Sequence, residues 1–386
     1  MKYNDVVFRN PIKVVTCESV TEGHPDKLCD IISDSILDAY LSKDKNARVA
    51  CETIAKDNTI ILVGEVSSNA YVDRRKVVSK VLKKVGYDDE ELWGTDYKTF
   101  KLIDLLGSQS KDISKAVNKE KIQAGDQGIM YGYACDETDC FMPLAYVLAT
   151  RLVKKLAEER KSGHSNFLGP DGKAQVSVVY YDDGTYEVAN VVISSQHFTI
   201  SLDKDKELEI LRKSILDYVV KPVLGALMPR EGAVFINPAG RFAIGGPTGD
   251  SGLTGRKLMV DTYGGVAHHG GGAFSGKDPS KVDRSGAYFA RWLAKLVVCR
   301  GIASECEVML SYMIGRSETT SVLVNAKYNE GYKLRDVLDI VEEFDSSPQG
   351  IIDRFKLFDI HNYSSVAAYG HFGENAKDMP WENVEL

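Results

Sequence analysis

The sequence predicts an α+β fold of three structurally related units, each a mostly antiparallel sheet covered by helices. Three observations predict it. Long amphipathic helical patterns begin at or near Pro25, Pro143 and Pro279. Each is followed by a pair of β-rich runs. A short glycine motif occurs twice, as Gly125-Asp126-Gln127-Gly128 and as Gly249-Asp250-Ser251-Gly252. Self-similarity of this kind marks a repeated supersecondary unit. The units are expected at 1–110, 111–240 and 241–386, with strands and helices free to exchange between them.

The elements follow in order. In Pro25–Leu41, Leu28, Ile31, Ile32, Ile36 and Tyr40 recur at helical spacing, and a proline suits the first turn. Asp26, Asp30, Asp34 and Asp38 stand four apart and so share one face of that helix. Arg48–Ala55 and Thr59–Val66 read as a hairpin joined around Asp57-Asn58. Gly107–Gly125 is polar and without period, a connector or a lid. Pro143–Arg160 is helical, with a stripe of Leu144, Leu148, Leu152 and Leu156. Lys161–Lys173 reads as a second loop. Gln175–Tyr181 and Thr185–Ile193 are strands around Asp182-Asp183-Gly184, a strong hairpin turn. Leu211–Val220 is a short helix that Pro222 should end. Pro279–Arg300 is the third long helix. Glu307–Ile314 and Thr319–Lys327 form another hairpin, and Leu334–Phe344 a last helix.

Composition excludes several classes. The 386 residues are 44% hydrophobic, enough for several cores. A net charge of −7 argues against nucleic-acid binding. No apolar run approaches a membrane span, and the first residues lack a signal-peptide core, so the chain is expected in the cytoplasm with no membrane partner. The seven cysteines are scattered, with no C-x-x-C pair to hold zinc. No G-x-S-x-G, H-E-x-x-H or Cys–His arrangement occurs, so no covalent enzyme intermediate is expected. No G-x-G-x-x-G follows a strand, which disfavours a dinucleotide site.

The chemistry concentrates in glycine-rich, charged stretches. HHGGGAFSGKDPSKVDRS (268–285) sets four glycines beside Lys277, Lys281, Asp278 and Asp283. Backbone N–H groups freed of Cβ atoms can close round an anion, lysines neutralise it, and a carboxylate holds its cation. Gly271–Lys277 fits G-x-x-x-x-G-K, but Asp278 replaces the hydroxyl that a P-loop needs for magnesium. A kinase or ATPase of the common kind is thereby disfavoured. GGPTGDSGLTGRK (245–257) carries five glycines and ends in Arg256 and Lys257. Together with Lys27 these cations exceed the needs of one phosphate and suit a polyphosphate. ESVTEGHPDK (18–27) puts His24 and Asp26 at a helix N-terminus, which favours anions. Glu52, inside an apolar strand, is costly unless paired or holding a cation.

These stretches carry a resemblance. With QAGDQGIMYGYA (123–134), PDGKAQV (170–176), NPAGRFAIGGPTGDSGLTGRK (237–257), DTYGG (261–265) and AAYGHFG (367–373), the chain resembles the S-adenosylmethionine synthetase (methionine adenosyltransferase) family along almost its whole length. The resemblance implies three units in pseudo-threefold symmetry. It implies attack of the sulfur of L-methionine on C5′ of ATP, release of intact triphosphate, and its hydrolysis to pyrophosphate and phosphate. By position it implies that His24 contacts the triphosphate near the C5′–O bond, and that Arg256, Lys257, Lys277 and Lys281 bind the triphosphate. Asp171, Lys173, Arg241, Phe242 and Ala273 match nucleotide contacts. Glu65, Gln109 and Asp250 match the methionine pocket, with Lys281 reaching it too. Asp26 and Asp283 match carboxylates for Mg²⁺, two ions per site, and Glu52 matches the K⁺ site. Asp126 matches a residue that faces the neighbouring subunit's site, so a homo-oligomer with active sites at its dimer interface is implied. Lys111 stands in the lid where the family usually has proline. Two alternatives stand beside it: an ATP-dependent phosphotransferase, and a non-catalytic regulatory paralogue. The second is expected to lose His24, a lysine or a magnesium carboxylate, and this chain keeps them all.

Overall fold

Each of the three prolines marks a helix start, but in a different way. In the computed structural model, which describes residues 10–108 and 122–384, Pro25 is the first residue of its helix. Pro143 is the cap before one, and Pro279 precedes a helix that opens only at Val282. In chain order the elements are β1 (Pro11–Val20), α1 (Pro25–Leu41), β2 (Arg48–Lys56), β3 (Thr59–Ser67), α2 (Arg74–Val85), β4 (Lys101–Gly107), β5 (Gly128–Cys135), α3 (Leu144–Ser162), β6 (Leu168–Tyr181), β7 (Tyr186–His197), α4 (Lys204–Ile215), β8 (Val234–Ile236), β9 (Gly252–Leu253), α5 (Val282–Cys299), β10 (Ala303–Tyr312), β11 (Ser321–Tyr328), α6 (Leu334–Glu342) and α7 (Pro348–Phe355).

Each long helix leads into an antiparallel hairpin: α1 into β2–β3, α3 into β6–β7, and α5 into β10–β11. A further helix follows each hairpin. After α2 and α4 the chain returns as a parallel strand, β4 beside β3 and β8 beside β7. Three larger sheets result, with orders β1-β6-β7-β8, β9-β2-β3-β4 and β11-β10-β5, beside a two-stranded ladder of Asp88–Asp89 with Thr95–Asp96. Their outer strands are exchanged in a ring. β1, early in the chain, completes the central sheet; β5 completes the last; β9, late in the chain, joins the first. One long helix covers each sheet, α1 on β2, α3 on β1 and β6, and α5 on β5 and β10. The mixed helix-and-sheet fold expected from the sequence is thus present.

Several local expectations need correction. Lys161–Lys173 is not a long loop: β6 begins at Leu168 and carries the PDGK segment between β1 and β7. The short helix before Pro222 starts earlier, at Lys204, because Asp203 caps it by accepting the N–H groups of Asp205 and Lys206. It does not stop at Pro222 either. A wider π-type turn over Leu216–Val220 carries the chain on, and the proline sits in the first turn of the next short helix, where its missing N–H is not needed.

The aspartate row on α1 is buried, and it joins distant parts of the chain. Asp26 accepts the N–H of Leu253 at 3.0 Å, Asp30 that of Gly255 at 2.9 Å, and Asp34 that of Gly276 at 2.8 Å. Asp38 accepts from Tyr363 and Ser364 at 2.8 and 3.0 Å. Arg284, fully buried, pairs with Asp34. Buried carboxylates persist only when such donors replace water.

Burial first, and then the neighbouring Asp34 charge, push the Asp38 carboxyl up from 3.8 to about 6. Its folded-state value lies above its unfolded one. The stability it contributes is therefore present below pH 4 and is lost as the pH rises through 6. The full shift corresponds to about 3 kcal/mol. We predict that Asp38→Asn flattens the fall of Tm between pH 4 and 6.5, read by thermal melts across that range; an unchanged slope refutes the assignment.

Candidate active site

The site grows from the edge of β2. β9 pairs with β2 at Ala55 and Ile54, and Thr254 continues the contact by donating to Thr53 O. Further along the same edge, Cys51 N donates to Gly276 O and Asp278 N donates to Val49 O. The two glycine-rich loops thus dock side by side on one strand, about four residues or 13 Å apart. One carries Arg256 and Lys257, the other Lys277 and Lys281. Gly276 has φ +79°, and a Cβ there would lie 1.8 Å from the carbonyl oxygen of Cys51, so only glycine allows this docking.

The N-terminus of α1 faces the first loop. His24 caps the helix, its Nδ1 accepting from Asp26 N at 3.2 Å. Burial, then Lys257, lower its pKa from 6.5 to about 3. The ring is therefore neutral, with its proton on Nε2, and presents a hydrogen-bond donor. Asp26 pairs with Lys257 at 2.7 Å and lies 3.7 Å from Arg256 Nε. Burial would raise its carboxyl, but the bonds from Lys257 and from Leu253 N outweigh that and hold it below the usual range.

In the second loop Lys277 bonds Asp283 at 2.6 Å. Lys281, the cap residue of α5, pairs with the buried Asp278, which also accepts from Val49 N and from Ser280. Lys277 and Lys281 stand four apart but share no helical side, because α5 does not reach back past Val282. Lys27 also departs from expectation. It is fully buried between Asp30 and Asp261, and these hold it charged against its burial, so it supports the core rather than a ligand.

A third group surrounds the start of β6. Asp171 accepts Gly246 N at 2.9 Å, and burial pushes its carboxyl up from 3.8 to about 6. Lys173 lies 3.4 Å from Glu18. His197 N donates to Phe242 O, and Arg241 reaches the buried Glu207 at 3.3 Å and Thr199. Ala273 lies against Gly255, where the two glycine loops touch.

The remaining expected residues are spread out. Glu52 and Glu65 are exposed on the outward face of the β2–β3 hairpin, so Glu52 is not the buried charge its strand implied. Asp250 and Asp126 are exposed, and among the described residues the Asp126 carboxylate accepts the N–H of Gln127. Gln109 and Lys111 lie outside the described residues. Sequence reasoning took Asp278 as a replaced P-loop hydroxyl and missed its pairing with Lys281, although its place three residues earlier was a signal; it also missed Glu18, which the pairing of β1 with β6 brings to Lys173.

Comparison with known proteins gives the family. Family models of the N-terminal, central and C-terminal domains of S-adenosylmethionine synthetase match residues 13–111, 121–242 and 244–383. The chain is 44% identical over 385 residues to a protein of Finegoldia magna named S-adenosylmethionine synthase, with 96% of both chains covered. Proteins of that name from Clostridium botulinum and Prochlorococcus marinus are each 45% identical, with at least 96% of each chain covered. Matched in order by all three domain models over almost its whole length, the chain belongs to the S-adenosylmethionine synthetase family.

Proposed function

We infer that the protein makes S-adenosylmethionine from ATP and L-methionine. The sulfur of methionine attacks C5′ of ATP, and triphosphate leaves whole and is hydrolysed to pyrophosphate and phosphate. The carrying observation is the docking of two cationic glycine loops on one edge of β2, opposite the α1 N-terminus. Methionine brings its own nucleophile, so the enzyme's work is alignment and charge stabilisation of the leaving group. Arg256 and Lys257 on one loop, and Lys277 and Lys281 on the other, receive successive phosphates. His24 donates to the oxygen that C5′ releases. Asp171, Lys173, Arg241, Phe242 and Ala273 hold the nucleoside, with the Phe242 ring on the base. Asp250 and Lys281 meet the amino acid, together with Glu65 and Gln109.

Mg²⁺ sites of this kind use one or two carboxylates and complete their shell from substrate phosphates. Asp26 and Asp283 fit that pattern: each is a single carboxylate held by a lysine. Among the described residues no three metal-binding side chains gather into a closed cage. Two Mg²⁺ ions, when bound with ATP, spread the negative charge of the polyphosphate. Glu52 supplies the carboxylate for K⁺.

The same reading makes the protein a homo-oligomer whose sites lie between two subunits. Its support is the outward face of each sheet, which exposes apolar side chains: Ile12 and Val14 on β1, Leu105 on β4, Ile129 on β5 and Leu323 on β11. Apolar side chains left bare on sheet faces suit burial against a second subunit. The ring-like exchange of β1, β5 and β9 supports pseudo-threefold symmetry of the units 1–110, 111–240 and 241–386. Among the described residues no helix is long and apolar enough to cross a membrane, and the seven thiols are free, which suits a reducing cytoplasm.

The test is a product assay with ATP, L-methionine, Mg²⁺ and K⁺. S-adenosylmethionine with equal pyrophosphate and phosphate is expected; ADP without it overturns the reading. Gly276→Ala should lower turnover about a hundredfold by displacing Lys277, and unaltered kinetics in that variant would count against the docking of the second loop.

A further inference from the structure

Tyr87 follows Gly86, the left-handed residue that ends α2, and is fully buried. Its backbone is fixed at both groups, the N–H to Leu82 O and the carbonyl by Tyr97 N. Its hydroxyl donates to Gly23 O at 2.5 Å. Gly23 immediately precedes His24 and has no room for a side chain: a Cβ there would lie 2.3 Å from Pro170 O, at the start of β6. Thr21 anchors the same turn, donating through its hydroxyl to Pro170 O at 2.7 Å and through its N–H to Gly172 O.

The phenol oxygen touches a second segment. Gly246 has φ +60°, and a Cβ on it would come within 2.4 Å of that oxygen. Gly246 in turn gives its N–H to Asp171. One hydroxyl therefore lies where the turn bearing His24 meets the loop beside Asp171 and Phe242. Burial, with the nearby Asp171 charge second, raises the phenol well above its ordinary range, so it stays a donor. A buried tyrosine hydroxyl that bonds a backbone carbonyl at such a crossing sets a distance between two segments.

We propose that Tyr87 is a positioning residue for the carbon–sulfur bond-forming step, its hydroxyl fixing the Gly23 carbonyl and hence the His24 ring against the Asp171–Gly246 loop. This rests on the function proposed above. The residue touches neither substrate nor metal. It acts through His24, and its loss should be felt where His24 is needed. Hydrolysis of free tripolyphosphate uses the cations of both loops but breaks no bond at C5′, so it should not need the His24 donor and should be spared.

Tyr87→Phe keeps the ring and removes only the hydroxyl. Expected is a fall of about 10- to 100-fold in kcat for S-adenosylmethionine synthesis, with KM for ATP and the hydrolysis of added tripolyphosphate within about a factor of two of wild type. In a His24→Ala background the same change should cost less than about twofold, since residues that act through one another are not additive. Loss of both activities in step, an unfolded variant, or an undiminished cost in the His24→Ala background overturns the proposal and makes the hydroxyl a support of the fold. Full synthesis by Tyr87→Phe overturns it as well. A wild-type protein that makes no S-adenosylmethionine instead removes the functional reading on which the proposal stands.

Discussion

Lys281→Met should slow synthesis about 10²- to 10³-fold, the effect of deleting one preorganised charge from a transition state. Lys281 caps α5 and is partly exposed, with its ammonium drawn onto Asp278. On the proposed function, that ammonium exchanges its carboxylate for phosphate and for the incoming amino acid in the substrate complex. Methionine at 281 keeps the length of the side chain and its packing. Asp278 retains three further donors, Val49 N at 2.7 Å, Ser280 N at 2.9 Å and the Ser280 hydroxyl at 2.6 Å. The fold should therefore survive, seen as a single cooperative melt. Steady-state rates on the purified variant give the answer, and turnover within a few-fold of wild type would sink the role given to Lys281.

The second large effect is a recovery. Asp126→Asn should inactivate the enzyme although the side chain is exposed and, among the described residues, accepts just its neighbour's N–H. Removing an exposed carboxylate costs a folded chain little. Its loss should act across the interface, in the partner's site. Asp126→Asn mixed with Lys281→Met, after dissociation and reassembly, should then regain activity. A twofold-symmetric dimer formed at random is half heterodimer, and each heterodimer has one intact site, so about a quarter of wild-type activity should return. Native mass spectrometry would confirm the mixing. Heterodimers without activity would mean that Asp126 and Lys281 serve the same chain's site.

The long helices and hairpins were legible because period and turn chemistry speak locally: Asp182-Asp183-Gly184 gives a hairpin whatever surrounds it. β1 and β5 were not, because their partners lie far along the chain and no local pattern reports an exchanged edge. α4 was hidden by its polar surface, with only Glu207, Leu211 and Ile215 buried. Among the site residues, the cations at 256, 257, 277 and 281 could be read from glycine spacing. The fate of Lys27 could not. Two carboxylates decide it, and Asp261 stands 234 residues away. Glu52 misled for the opposite reason: an apolar strand conceals which of its faces is covered.

The aspartate row of α1 also dictates when the protein can fold. Its last two acceptor sites wait for Tyr363 and Ser364, more than 320 residues downstream of Asp38. A nascent chain therefore leaves the ribosome with α1 made early and its acidic face without its final partners until nearly all of the polypeptide has been synthesised. Closing such long loops is slow, and folding should proceed late and as a whole rather than unit by unit. A fragment ending at the central unit would carry α1 with its aspartates bared, and would not be a small version of the enzyme.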